Sequence, residues 1–126
     1  MTRRGGYVGW ALPEAERARL LARFPARYAR PVAHHVTLVY GVGAGHPLPT
    51  AREGTILGLA DDGEGLQALV VAIAGTTDRP GGGTYHVTWS LGPGRRAMES
   101  NAVIARLGWT PVEPVAVRLE PRFFPF

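Results

Sequence analysis

Apolar and polar residues alternate along several short stretches of the chain. The alternation is strictest from Tyr85 to Leu91, where every second residue is apolar and His86, Thr88 and Ser90 occupy the positions between. Side chains of a β-strand point alternately to its two faces. The pattern therefore predicts a strand with one face in the core and the three polar residues together on the other.

The rest of the pattern predicts five further strands and two helices. Pro13 fits the first turn of a helix, and Pro25 should end that helix. The second helix should stop at Gly108, a residue suited to a helix C-cap. The apolar stretch 66–74 is typical of a central strand covered on both faces, in a hairpin with the strand before it. The predicted strands are residues 7–12, 33–40, 55–60, 66–74, 84–91 and 115–119, and the predicted helices are residues 14–24 and 97–107.

The order of these elements predicts an α+β fold with a strand–helix–strand unit at each end of a single domain, residues 1–126. The chain has 126 residues, of which 45% are hydrophobic and 19% charged, a composition typical of one globular domain. It has no cysteine, which excludes disulfides and a thiol nucleophile. No apolar run is long enough to span a membrane, and the first residues do not resemble a secretory signal. We expect a cytoplasmic monomer.

The net charge is +4, and all 14 basic side chains are arginine. A positive net charge favours anionic partners such as RNA, nucleotides or phosphoesters. Arginine can bind a phosphate with two hydrogen bonds at once. The alternative is a compositional bias of the source genome, since the chain also has 17 glycines and 11 prolines.

The sequence His-Val-Thr occurs twice, beginning at His35 and at His86. On a strand, each histidine shares a face with the threonine two positions later, Thr37 or Thr88. His34 should point to the opposite face and is interpreted as structural. The repetition of the motif, rather than either copy alone, is the chemical signal in this sequence.

The two motifs resemble those of the 2H phosphoesterase superfamily, the RNA ligase and cyclic phosphodiesterase group defined by two His-x-Thr/Ser motifs on strands. Residues 7–14 are similar to the opening strand and helix of that family, and residues 35–41 to its first motif with the aromatic-Gly pair that follows. Residues 94–101 are similar to the segment after the second motif in the cyclic phosphodiesterase domains of tRNA ligases. The resemblance implies two pseudo-symmetric halves with antiparallel strands around a central groove.

The resemblance also implies a reaction, the opening of a 2′,3′-cyclic phosphate. His35 and His86 would flank the phosphate, one as general base toward water and the other as general acid toward the ribose oxygen, because imidazole titrates near neutral pH. Thr37 and Thr88 would donate hydrogen bonds to the nonbridging oxygens. The sequence leaves open which histidine is the acid, and neither a metal ion nor a cofactor is needed.

Four further residues are candidates for substrate binding. Tyr40, with Tyr7 and Trp10, would offer a stacking surface for a base, although alternating aromatic residues in strands also form cores. Ser90 would add a polar contact on the face of the second motif. Arg95 and Arg96 would bind phosphate or sugar near a helix start, or lie in solvent as part of a glycine-rich turn.

The predicted function is therefore a metal-independent 2′,3′-cyclic phosphodiesterase acting on RNA ends or small nucleotides. One alternative keeps the chemistry but takes ADP-ribose cyclic phosphate or a cyclic oligonucleotide signal as substrate. Another is an RNA- or nucleotide-binding module without turnover. A zinc site at His34, His35 and His86 is disfavoured, because adjacent residues on a strand diverge and leave only two ligands. An adenylating ligase is excluded, because the chain has no lysine to carry the nucleotide.

Overall fold

Eight strands and two α-helices make up residues 5–126, the part of the chain that the computed structural model describes. In chain order they are β1 (Gly6–Ala11), α1 (Glu14–Arg23), β2 (Arg30–Pro31), β3 (His35–Val42), β4 (Glu53–Asp61), β5 (Leu66–Ala72), β6 (His86–Leu91), α2 (Ser100–Leu107), β7 (Thr110–Arg118) and β8 (Glu120–Pro125). A short 3-10 turn, Ala97–Glu99, leads into α2. The α+β class is as predicted.

The strands form one antiparallel sheet in the order β7-β4-β5-β6-β3-β1-β8, with β2 paired to the end of β6. Neighbouring strands pair over several residues, except at the centre of the sheet. There β3 and β6 pair only through Val36 and Val87. The sheet is therefore two groups of strands joined at a single residue pair, and that pair is the middle residue of each His-Val-Thr motif.

Each face of the sheet has its own core and its own helix. Leu20 of α1 packs on the first face with Leu69 and Trp89, while Val103 of α2 packs on the second face against Val70. All residues of β5 from Leu66 to Val71 are buried. This confirms the prediction of a central strand covered on both sides, and the hairpin pairing of β4 with β5 is confirmed as well.

The two edge strands, β7 and β8, are where the sequence prediction was least accurate. The strand predicted at 115–119 extends over Thr110–Arg118, and the aromatic tail beyond it is a strand that pairs with β1. Both contain proline, at Pro111, Pro114, Pro121 and Pro125. Proline lacks the N–H needed inside a sheet but is tolerated at an edge.

The position of Pro13 also differs slightly from the prediction that it lies in the first turn of a helix. It is the N-cap of α1 and precedes the first turn.

The crossing from β2 to β3 is not a regular strand, which changes the position of His34. Ala33 is buried with φ 46°, in the left-handed region, and β3 begins only at His35. Arg17 Nε donates to the Ala33 carbonyl at 3.1 Å, and Leu12 N donates to the His34 carbonyl at 2.9 Å. Because alternation applies only to an extended chain, the expectation that His34 points away from His35 is wrong.

No helix in the described part of the chain is both long and apolar enough to cross a lipid bilayer.

Candidate active site

The pairing of Val36 with Val87 brings the two His-Val-Thr motifs together at the centre of the sheet. A local twofold axis through an antiparallel pair exchanges equivalent residues of the two strands. It relates His35 to His86 and Thr37 to Thr88. The two valines point into the first core, so the four polar side chains lie on the opposite face. Two motifs that are distant in sequence thus form one cluster.

The cluster lines a cavity of about 410 Å³ on the second face of the sheet, beside the start of α2. A volume of this size is within the range of small-molecule sites. Its walls are formed by Tyr7, His35, Thr37, Tyr40, Arg79, His86, Thr88, Ala97, Met98 and Asn101. The structure therefore collects both predicted histidines, both predicted threonines and Tyr40 around one space.

His86 is oriented by the backbone just before it. Its Nδ1 lies 2.8 Å from the Thr84 carbonyl oxygen, and because a carbonyl only accepts, Nδ1 carries the hydrogen. In the neutral ring the lone pair is then on Nε2. Burial lowers the pKa of His86 below its usual 6.5, and the positive charge of Arg79 lowers it further, against the opposing hydrogen bond to Thr84. The ring is thus a neutral base at neutral pH, with Nε2 as the basic atom.

His35 is held by its neighbour in sequence. Its Nδ1 lies 3.0 Å from Nδ1 of His34, so that one ring donates to the other. The ring of Tyr7 packs against it, 5.1 Å away between centroids. Burial lowers the pKa of His35 to about 4, with smaller contributions from the charges of His34 and His86. The influence of His86 on this pKa agrees with the two catalytic candidates lying close together.

The two threonines differ in their surroundings. Thr88 is buried, and its Oγ1 lies 2.8 Å from Oγ of Ser100, the first residue of α2. When Ser100 is the donor, the hydroxyl hydrogen of Thr88 is free to point toward a ligand. Thr37 lines the cavity from β3 and is partly exposed. Both hydroxyls can therefore donate to an anion between the histidines.

Arg79 and Asn101 line the cavity, and sequence reasoning assigned no role to either. Arg79 Nε donates to the Gly82 carbonyl at 3.0 Å, which anchors the side chain on its own loop. The loop can turn tightly there because Gly81, Gly82 and Gly83 all have positive φ. Asn101 Oδ1 accepts from Thr84 N at 3.3 Å. The sequence did contain one indication of a role, which is the position of these residues next to the second motif. Arg79 lies in the glycine loop before that motif, and Asn101 lies in the segment after it.

A bulge in β3 places Tyr40 on the face of the motif. Gly9 pairs with Thr37 and Tyr7 pairs with Tyr40, so β3 has one residue more than β1 between these pairs. Strict alternation would put Tyr40 on the opposite face from His35 and Thr37. The extra residue reverses the alternation and turns Tyr40 toward the cavity.

A second bulge, in β6, removes Ser90 from the site. Thr88 pairs with Ala68 and Ser90 with Gln67, so β6 has one residue more than β5 between them, and Ser90 lies on the other face. It is fully buried, donates from Oγ to Gln67 Oε1 at 2.6 Å and accepts from Tyr28 N at 3.1 Å. The prediction that Ser90 contacts substrate is therefore wrong.

Arg95 and Arg96 also lie outside the cavity walls. Arg95 pairs with Asp62 at 2.7 Å and Glu99 at 3.1 Å, and donates to the Glu64 carbonyl at 2.6 Å, so it ties the turn between β4 and β5 to the start of α2. The backbone N–H of Arg96 donates to Glu99 at 2.7 Å. Acidic side chains already bind the guanidinium of Arg95. The prediction that Arg95 and Arg96 clamp a substrate phosphate is therefore not supported.

Among residues 5–126, no group of three or more histidine, aspartate or glutamate side chains is arranged to hold a metal ion.

Comparison with known proteins gives no relative for this chain: no protein-family model, no curated protein and no solved structure matches it.

Proposed function

We propose that the protein is a phosphodiesterase of the 2H type that opens 2′,3′-cyclic phosphates of nucleotides or RNA ends without a metal ion. The observation that carries the proposal is the twofold-related pair of His-Val-Thr motifs on one wall of one cavity. On either side of this pair the sheet has a group of strands, and the proposal takes the two groups as the halves that the family resemblance implies. They are unequal, with β7, β4, β5 and β6 on one side and β3, β1 and β8 on the other.

The reaction needs two proton transfers on opposite sides of phosphorus. One neutral imidazole removes a proton from water as the water oxygen bonds to phosphorus. The bond from phosphorus to one ribose oxygen breaks, and the other imidazole, protonated, gives its proton to that oxygen. The product is a phosphate monoester with a free hydroxyl. The position of His35 and His86 on adjacent strands, both lining the cavity, supports their assignment to these two roles.

Charge that develops on the nonbridging oxygens needs donors that are already in place. Thr37 and Thr88 supply two hydroxyls beside the histidines, and a hydrogen bond to Ser100 positions the hydroxyl of Thr88. Arg79 supplies a positive charge at the cavity wall. Preorganised donors of this kind are among the largest contributions to catalysis in a site that excludes water.

The test is hydrolysis of nucleoside 2′,3′-cyclic monophosphates and of RNA with a cyclic phosphate end, followed by phosphorus NMR in EDTA. We expect monoester product, and a loss of at least about 10²-fold in kcat/KM for His35→Ala and for His86→Ala. His46→Ala is the matched control, because His46 is a partly exposed histidine outside the cavity walls, hydrogen-bonded to the adjacent Pro47 carbonyl.

Three outcomes would contradict the proposal. Absence of product from both substrates would remove the phosphodiesterase assignment, and tight nucleotide binding without product would favour a binding module instead. Full activity in either histidine variant would show that turnover comes from another site. Loss of activity in EDTA that added metal restores would exclude the metal-independent mechanism.

A further inference from the structure

The ring of His34 lies outside the cavity walls but is hydrogen-bonded to a ring that lines them. Nδ1 of His34 is 3.0 Å from Nδ1 of His35, and the two ring planes cross at 80°. The ring of Phe124 packs against both, with centroids 5.7 Å from His34 and 5.2 Å from His35. His35 lines the cavity, whereas His34 is exposed. The pair therefore connects solvent outside the cavity to the wall at which a phosphate would bind.

The backbone before the first motif fixes this pairing. Ala33 has φ 46°, a value that is unfavourable for alanine, and its carbonyl accepts from Arg17 Nε at 3.1 Å. Ala33 N donates to the Thr88 carbonyl at 3.0 Å, and the His34 carbonyl accepts from Leu12 N at 2.9 Å. Strained backbone of this kind persists where its surroundings over-determine it, and it clusters at functional sites. Its result here is that the rings of two adjacent histidines meet instead of diverging.

The two motif histidines have different hydrogen-bond partners at Nδ1. His86 donates from Nδ1 to the Thr84 carbonyl, which only accepts, so no proton can reach this ring from that side. His35 has an imidazole as its partner, and an imidazole nitrogen can donate or accept. Neutral His86 therefore suits the base of the proposed reaction, with its lone pair at Nε2. His35 is the ring that can receive a proton from behind, which suits the acid.

The two rings of the His34–His35 pair differ in how well they can hold a positive charge. Burial lowers the pKa of His35 to about 4 from 6.5, and the charges of His34 and His86 lower it further. Tyr7 faces His35 from β1, and Arg79 adds a positive charge at the cavity wall. His34 is exposed, so water can solvate a charge there. A proton that the pair takes up is therefore expected on His34.

We propose that His34 is a positioning residue that stores the acid proton in solvent and relays it to His35 during the reaction. The inference rests on the proposed function and deepens it. Before the reaction, His34 is protonated, and neutral His35 carries its hydrogen at Nε2 and accepts at Nδ1. As the bond from phosphorus to the ribose oxygen breaks, the Nε2 proton of His35 goes to that oxygen. The Nδ1 proton of His34 goes at the same time to Nδ1 of His35.

The cycle closes through the same two rings. A proton from water enters at Nε2 of His35, and the hydrogen on its Nδ1 returns to His34, which restores the charge in solvent. His86, which took a proton from the attacking water, releases it. His35 passes a proton in each direction without becoming an imidazolium, so the buried ring avoids the cost of a charge away from water.

The first experiment compares kcat/KM for a nucleoside 2′,3′-cyclic monophosphate between pH 5 and pH 8 in the unchanged protein, His34→Gln and His46→Gln. Glutamine can keep a hydrogen bond to Nδ1 of His35 but cannot carry the proton. His34→Gln should lose about 10- to 100-fold at pH 7.5. The loss should shrink toward pH 5, because more of His35 is then protonated directly. His46→Gln is the control for loss of a histidine outside the cavity walls and should match the unchanged protein.

A second measurement follows the ring nitrogens of ¹⁵N-labelled histidine by NMR in the unchanged protein as the pH is lowered. We expect His34 to become protonated before His35, and the reverse order would overturn the proposal. Full activity of His34→Gln would also overturn it, and so would a loss that is equal at every pH, because a purely structural role would give that result. If the unchanged protein turns over substrate, any of these results refutes the relay alone. Absence of turnover in the unchanged protein would refute the proposed function, and the relay with it.

Discussion

Acidification should destabilise the folded protein through His35, and the effect can be isolated with one substitution. His35 is largely buried against His34, His86 and Tyr7, and its pKa is lowered to about 4 from 6.5. The unfolded chain therefore binds a proton at this residue at a higher pH than the folded chain does. Between pH 6.5 and pH 4 the unfolded state holds more protons, so the free energy of unfolding falls as the pH falls.

The size of the effect follows from the two pKa values. With about 4 in the folded state and 6.5 in the unfolded state, the penalty is absent above pH 7, reaches about 2 kcal/mol at pH 5 and levels off at about 3 kcal/mol below pH 4. This is a large fraction of the 5–15 kcal/mol that is typical of a domain's stability. His86 adds a contribution of the same sign, because its pKa is also lowered by burial.

The assay is urea denaturation of the unchanged protein, His35→Gln and His46→Gln at pH 7.5, 6 and 5. Glutamine cannot titrate, so the His35→Gln variant should gain about 2 kcal/mol relative to the unchanged protein between pH 7.5 and pH 5. His46→Gln is the control for loss of a histidine outside the cavity walls. Parallel pH curves for His35→Gln and the unchanged protein, or an NMR titration of His35 near 6.5, would refute the reasoning.

Three further outcomes are expected. Burial keeps the pKa of both His35 and His86 below 6.5, and the proposed reaction needs one ring protonated while the other is neutral. A plot of kcat/KM against pH should therefore be bell-shaped, with its maximum below pH 6.5. A maximum in the alkaline range would contradict this. Thr88→Val should lower kcat about 10²-fold, and Ser100→Ala should lower it less, as measured by steady-state kinetics on variants whose folding is checked by circular dichroism. Arg95→Gln should lower the melting temperature and leave kcat/KM unchanged, because Arg95 binds acidic partners outside the cavity; a loss of activity without a loss of stability would overturn that assignment.

Much of the fold was predictable from local sequence. The helix after Pro13 and the strands β5 and β6 each depend on residues close in sequence, and each is present, although the bulge in β6 breaks its alternation after Thr88. The edge strands were harder to predict, because the prolines and charges of β7 and β8 do not follow a strand pattern. The edge strand β7 pairs with β4, and β8 pairs with β1, so both depend on the positions of strands that are distant from them in sequence.

The repeated His-Val-Thr motif could also be found without the structure, and the histidine and threonine of both copies line one cavity. Arg79 and Asn101 were missed because their positions in the segments before and after the second motif do not show which side chains of those segments reach the cavity. Only the loop conformation between Ile73 and Thr84 and the packing of α2 bring these two side chains to the cavity wall.

The sequence by itself determined which residues are candidates for the site and where most of the regular helices and strands lie, because hydrophobic periodicity and the two motifs are local. The tertiary structure decided which side chains share the site. One extra residue in β3 turns Tyr40 toward the cavity, and one in β6 turns Ser90 into the core. A single inserted residue reverses every later side chain of a strand, and whether it is accommodated depends on the register of the partner strand rather than on the strand's own sequence.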